Sequence, residues 1–163
     1  YEIVCIIAGN GKMRVRYINK FTEPIVNKNY HYVQGSRYIQ FENNNMPLFR
    51  KLIIPFVTKV FSTLFNYKFT DATCGFRAFD LKLIKLATFN IHSKWLRKYA
   101  FEPYLFSNVL LDKKVKKIEI PVTMDYPEKN IKYTKIKPLI DYPSLFFPYL
   151  VALIYPRKCK DLN

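Results

Sequence analysis

The order of the apolar runs near the start of the chain constrains the fold more than any other feature. Glu2 to Ile7 is an apolar segment of strand length and reads as a buried strand. A loop follows, then a helix from about Arg16 to Asn27, then a second strand from His31 to Ser36 that runs into Arg37. Strand, helix and strand in this order predict a βαβ unit and an α/β sheet. The 163 residues are about one domain's length and can bury a sizeable core. Half of them are apolar (50%), which excludes a disordered or fibrous chain.

The clearest helical pattern follows. Phe49, Leu52, Ile53, Phe56, Val57, Val60, Phe61, Leu64 and Phe65 recur at the spacing of one helical face. Arg50, Lys51, Thr58, Lys59 and Ser62 fall on the other side. Pro47 suits a first turn and Pro55 bends the middle. Core packing accounts for such a stripe, and so does a helix lying on a membrane surface. Beyond it the chain reads as a short strand through Phe76 to Phe79, a helix capped by Asp80, and a further helix from Trp95 to Leu111. Val115 to Val122 alternates as a strand, with Pro121 at an edge or an end.

The tail from Leu139 to Ile154 is apolar but holds Asp141, Pro143 and Pro148. It falls short of the roughly 20 apolar residues that a spanning helix needs. Lys135 and Lys137 precede it, and Arg157, Lys158 and Lys160 follow. A segment lying in a membrane interface fits this pattern, as does a buried C-terminal helix. Residues 138–163 are therefore set apart as an apolar and basic tail.

Charge and glycine usage point to function. Lys and Arg number 27 against 12 Asp and Glu, a net charge of +15, which calls for an anionic partner. The three cysteines, Cys5, Cys74 and Cys159, form no paired framework, and His31 and His92 lie far apart, so a zinc site is not expected. A reducing compartment fits that cysteine usage. The four glycines sit beside polar or charged clusters: Gly9-Asn10-Gly11-Lys12, Gln34-Gly35-Ser36-Arg37 and Cys74-Gly75-Phe76-Arg77. Each is an ordinary tight turn or a place where backbone approaches a ligand. Arginine is the better residue for bidentate phosphate binding, and Arg37, Arg50 and Arg77 lie in or near these clusters. Lys12, Lys132 and Lys135 are candidates to join them. Asp71 is a candidate base or hydrogen-bond acceptor beside basic groups, or simply a turn cap.

Taken in order, YEIVCIIAGNGK, YHYVQGSRY, NMPLFR, FTDATCGFRAFD, FEPYL, KKIEIPVTMDYP and KYTKIKP resemble the family 2 glycosyltransferases of the GT-A fold. The resemblance is to the dolichyl-phosphate mannosyltransferase and polyprenyl-phosphate glycosyltransferase group and covers nearly the whole chain. It implies a partial GT-A, Rossmann-like mixed sheet with flanking helices and an apolar C-terminal helical segment. Residues 1–137 would form the back half of the catalytic domain. The implied reaction moves a sugar from a nucleotide sugar to a polyprenyl phosphate, with inversion, at the cytoplasmic face of a membrane and with an anionic membrane surface as a further partner. Arg37 and Arg50 match positions that meet the lipid phosphate or pyrophosphate, with Arg77 beside them. Thr134 and Lys135 match a Ser/Thr-Lys pair on the acceptor side, and Asp71 matches an acid assigned as base or as positioning group. Gly9, Asn10, Gly11 and Lys12 fall on the donor diphosphate.

Two departures from the family pattern stand out. The Asp-x-Asp position that holds Mg²⁺ or Mn²⁺ reads Ala8-Gly9-Asn10, leaving Asn10 to offer one neutral oxygen where hard cations prefer carboxylates. Lys12 is placed to supply charge in the metal's stead. The front of the family fold, with most of the nucleotide pocket, would precede Tyr1, so the chain by itself is expected to be inactive. A non-catalytic, membrane-associated remnant or subunit accounts for the same departures. A nucleic-acid-binding module ranks below both, because the aromatics fall mainly on apolar faces; no nucleic-acid partner is expected.

Overall fold

The computed structural model describes residues 2–9, 11–40, 46–86, 93–97, 99–126 and 138–156. The elements are β1 (Ile3–Ile6), α1 (Ile18–Lys28), β2 (Tyr32–Ser36), α2 (Leu48–Leu64), β3 (Arg77–Asp80), α3 (Lys82–Leu86), α4 (Phe101–Leu111), β4 (Lys117–Pro121) and α5 (Pro138–Ile154). They form two compact units, one of Tyr1–Leu81 with Lys116–Ile131 and the other of Lys82–Val115 with Lys132–Asn163.

In the first unit the α/β architecture read from the strand–helix–strand order is present, with a sheet of mixed direction. Its strand order is β1-β3-β2-β4; β3 runs antiparallel to both neighbours, and β2 and β4 are parallel. β1, β2 and β4 therefore point the same way, and β3 is inserted between the two strands of the expected βαβ unit. The run at Glu2–Ile7 differs from its reading as a buried strand: β1 stands at an edge of the sheet and is only half-buried. Helix α1 turns Phe21, Pro24 and Ile25 inward. Phe21 stacks on Phe76 with ring centroids 3.9 Å apart, and Val33, Cys74, Ala78 and Val122 complete the core around them. The helix stops at Asn29, whose left-handed backbone (φ 55°) is one that asparagine adopts more readily than most residues.

Two sequence expectations give way to packing. Asp80, expected as a helix cap, is the last residue of β3, opposite Ile3, and its amide donates to the His31 carbonyl. The helix expected from Trp95 to Leu111 begins only at Phe101. Lys94–Leu96 is a separate 3₁₀ turn, ended by the extended backbone of Arg97. In α2 most of the apolar stripe is not core. Ile54 and Thr58 are buried, whereas Leu48, Phe49, Leu52, Phe56, Val60 and Leu64 are exposed. Thr58 explains the choice of face: its hydroxyl accepts the Ala72 amide at 3.0 Å, fixing the side of α2 that meets the rest of the unit.

In the second unit α4 packs on α5, with Leu96, Tyr104 and Ala152 at the contact and Trp95 edge-on to Tyr104 and Phe147. α4 is buried from Pro103 to Leu110. Its two polar residues there are satisfied within the helix, Ser107 donating to the Pro103 carbonyl and Asn108 to the Tyr104 carbonyl. The apolar tail segment is helical as expected. Among the described residues, no helix is long and apolar enough to cross a membrane.

Gly35 shows why a glycine stands inside β2. A Cβ there would lie 3.0 Å from both the Phe21 ring and the Phe76 carbonyl oxygen and 3.1 Å from Cys74 Sγ. The ring is held in the core stack and the carbonyl accepts the Gly35 amide, so neither yields easily. Gly35→Ala is expected to cost about 1–3 kcal/mol, the usual range for overpacking. Chemical denaturation of the two proteins, compared at equal slope, measures it.

Candidate functional site

The three parallel strands bring their C-terminal ends to one side of the sheet, and the turn entering β3 joins them there. Crevices at such strand ends are where α/β sheets place ligands. The loop after β1 is tied down first. Met13 pairs with Met124, and the Asp125 amide donates to the Lys12 carbonyl at 2.9 Å. Arg14 grips the Asp125 carboxylate with Nε and Nη2, both at 2.9 Å. The hydrogen bond holds Arg14 above and Asp125 below their ordinary values; both are solvated, so the pair fixes geometry more than it adds stability. Gly11, at φ 71°, supplies the left-handed turn this loop requires.

Arg37 leaves the end of β2 and is buried. Its Nε donates to Asp71 Oδ2 at 2.6 Å and its Nη2 to Asp71 Oδ1 at 2.8 Å. Nη2 also donates to the Thr73 hydroxyl, and Nη1 to the Tyr126 hydroxyl at 3.1 Å and to Met124 Sδ. Burial opposes the charge on Arg37, but the hydrogen bond and charge of Asp71 outweigh it and hold the guanidinium above its ordinary value. Every nitrogen of the guanidinium is thus engaged within the protein. Asp71 is fully buried and also accepts the amides of Arg37 and Thr73 and the Thr73 hydroxyl. A carboxylate surrounded by this many donors is turned inward. Its geometry suits positioning Arg37 better than taking a proton.

Beneath this pair lies Glu119 on β4. It accepts the Thr70 amide at 2.8 Å, the Thr70 hydroxyl at 2.9 Å and the Asp71 amide at 3.2 Å. Burial pushes its carboxyl up, and the bonds from Thr70 and Asp71 pull the other way. Glu119, Thr73 and Tyr126 were not among the residues singled out from sequence. Glu119 alternates with Ile118 and Ile120 and so reads as a solvent-facing strand position. Only the fold reveals that the Thr70–Asp71 turn covers it.

Lys12 is buried beside this assembly, its ammonium 5.8 Å from the centre of the Tyr126 ring. Burial lowers its pKa, and the charges of Arg50 and Arg37 lower it further. Arg50 comes from the first turn of α2. Its carbonyl accepts the Tyr38 hydroxyl, which burial pushes up to about 12. The structure thus gathers Lys12, Arg37, Arg50 and Asp71. Lys12, Arg37 and Arg50 act on one another, and the described carboxylates beside them, Asp71 and Glu119, are turned to Arg37, Thr73 and Thr70, so an anion is a ligand this region accommodates.

The remaining sequence candidates fall as follows. Arg77, opposite Gln34 and Ile6 in the sheet, donates from Nη2 to the Cys74 carbonyl at 2.7 Å and braces the turn entering β3. Gln34 braces the same carbonyl at 2.8 Å. Gly9 has open space where a Cβ would stand, so no packing demand explains it. Asn10, Thr134 and Lys135, with Lys132, lie outside the described residues. Cys74 is buried and its thiol is pushed up to about 12 by burial, which suppresses the thiolate.

Among the described residues no group of three or more His, Cys, Asp or Glu could hold a metal ion. Asp71 is committed to Arg37 and Thr73, Glu119 to Thr70 and Asp71, and Asp125 to Arg14. No protein-family model, curated protein or solved structure matches the chain.

Two substitutions separate the stabilising from the arranging carboxylate. Asp71→Asn leaves Arg37 buried without a counter-ion and is expected to cost about 3–5 kcal/mol. Glu119→Gln keeps shape but turns an amide NH2 against the backbone N–H of Thr70 or of Asp71, so a cost of about 1–3 kcal/mol is expected. Thermal and urea unfolding of the two variants beside the parent checks both.

Proposed function

We propose that the chain is the phosphate-handling part of a glycosyltransferase that moves a sugar from a nucleotide sugar to a polyprenyl phosphate, with inversion, at the cytoplasmic face of a membrane. The observation that carries this reading is the convergence of Lys12, Arg37 and Arg50 at the strand ends. It agrees with the motif resemblance, which puts the GNGK loop, the GSR arginine and the arginine of NMPLFR on phosphate groups.

The chemistry suits such a site. The attacking oxygen of a phosphate is already anionic, so a general base contributes little. The demanding tasks are to hold two anionic partners together and to stabilise the departing nucleotide diphosphate. Lys12 and Arg50 are the groups assigned to touch phosphate, because the nitrogens of Arg37 are engaged by Asp71, Thr73, Tyr126 and Met124. Arg37 acts through its charge and by fixing the walls of the site. Positive charge from Lys12 stands where the family pattern would place a metal.

A second reading, a remnant that binds phosphate without catalysing transfer, is favoured by Ala8-Gly9 in place of acids and by the inward commitment of Asp71. Both readings require the anion site, and the assays separate them. Calorimetric titration with a short-chain polyprenyl phosphate is expected to show one site. Lys12→Ala and Arg50→Ala should each weaken binding by about 1.5–3 kcal/mol, the range for one charge-assisted bond. Unchanged affinity in both variants would remove the proposal. Labelled sugar transferred from a sugar nucleotide would decide for the enzyme and against the remnant.

A further inference from the structure

The exposed face of α2 is unusual for a surface in water. Leu48, Leu52, Phe56, Val60 and Leu64 form an i, i+4 row along the whole helix, and Phe49 widens it at the start. Phe49 is 70% and Phe56 64% exposed. Soluble chains rarely present a contiguous apolar patch of this kind without using it. The helix also contains no Asp or Glu, while Arg50, Lys51 and Lys59 rim the row.

We propose that this face of α2 is a docking surface for an anionic lipid bilayer. The helix would lie in the interface with its i, i+4 row among the acyl chains and its lysines at the phosphates. Charge selects the occupant. A second copy of this chain would set two chains of +15 against each other, with Lys51 and Lys59 facing their own kind. An anionic bilayer offers both an apolar interior and the opposite charge. The position of Arg50 then acquires a reason. It belongs at once to the docked helix and to the cation cluster with Lys12, so docking sets the anion site at headgroup depth. The inference deepens the proposed reading by naming the surface through which that site meets a lipid.

The test is co-sedimentation of the full chain with vesicles of phosphatidylcholine alone and of phosphatidylcholine mixed equally with phosphatidylglycerol. Neither vesicle contains polyprenyl phosphate or sugar nucleotide, so the outcome is independent of transfer activity. Stronger binding to the anionic vesicles, weakened by salt, is expected. Phe49→Ser with Phe56→Ser should lower partitioning about 100-fold, since each buried aromatic is worth at least a factor of about ten. Both residues are exposed, so circular dichroism and unfolding should not change. Lys51→Gln with Lys59→Gln, which keeps the row, should lower the anionic preference about fivefold per lysine. Binding that ignores all four substitutions would overturn the proposal. So would an absence of vesicle binding, and a Phe49- and Phe56-dependent dimer in sedimentation velocity would then identify a second copy as the occupant.

Discussion

The buried ion pair between Arg37 and Asp71 is the interaction on which the first unit's arrangement depends. It joins the end of β2 to the turn entering β3, and through Tyr126 and Met124 it reaches the segment after β4. A lone guanidinium buried this deeply would be prohibitive. Asp71 offsets that cost with two bonds and a full opposite charge. Asp71 is in turn fixed by Thr73 and by its own amide, which donates to Glu119. A chain of polar contacts thus runs from β4 to β2 through a turn that has no regular hydrogen-bonding ladder of its own. Such a network demands one geometry, because each member left unsatisfied would be costly in a low dielectric.

That single geometry explains why cations can be collected nearby. Lys12 sits on a loop held by Met13, Arg14 and the Lys12 carbonyl, and Arg50 is delivered by the first turn of α2. Burial and like charge both fall on Lys12. A region that stores positive charge against rigid walls favours anions by preorganisation rather than by adaptation. The inward commitment of Asp71 matters equally. It turns the obvious carboxylate away from general-base chemistry.

Much of this was legible in the sequence because it is local. The strand–helix–strand order gave the α/β class, and the Gly-rich GNGK loop and the arginine after Gly35 marked two walls of the site. What escaped was set by contacts between distant parts of the chain. Tyr126 meets Arg37 across 89 positions and Glu119 meets Thr70 across 49, and neither spacing leaves a periodic trace. In β4, alternation could place Glu119 on a face but could not say that a turn covers it. In α2, periodicity found an apolar stripe and left core packing and a membrane surface both open. A single bond from Ala72 to Thr58 turned a narrower strip inward and left most of the stripe exposed. Trp95 to Leu111 failed as one helix for a similar reason: Arg97 adopts an extended backbone that local apolarity does not reveal.

The sharpest test of the account is the titration of Lys12 itself. Its ammonium is the group on which burial, Arg50 and Arg37 act together, and an anion bound among them would reverse the effect of the like charges. Side-chain NMR of lysine-labelled protein, with Lys12→Arg to assign the signal, reads this pKa without and with inorganic pyrophosphate. The account predicts titration below the ordinary lysine value in the free protein and a clear rise when pyrophosphate is added. An ordinary value that pyrophosphate leaves unchanged would contradict it.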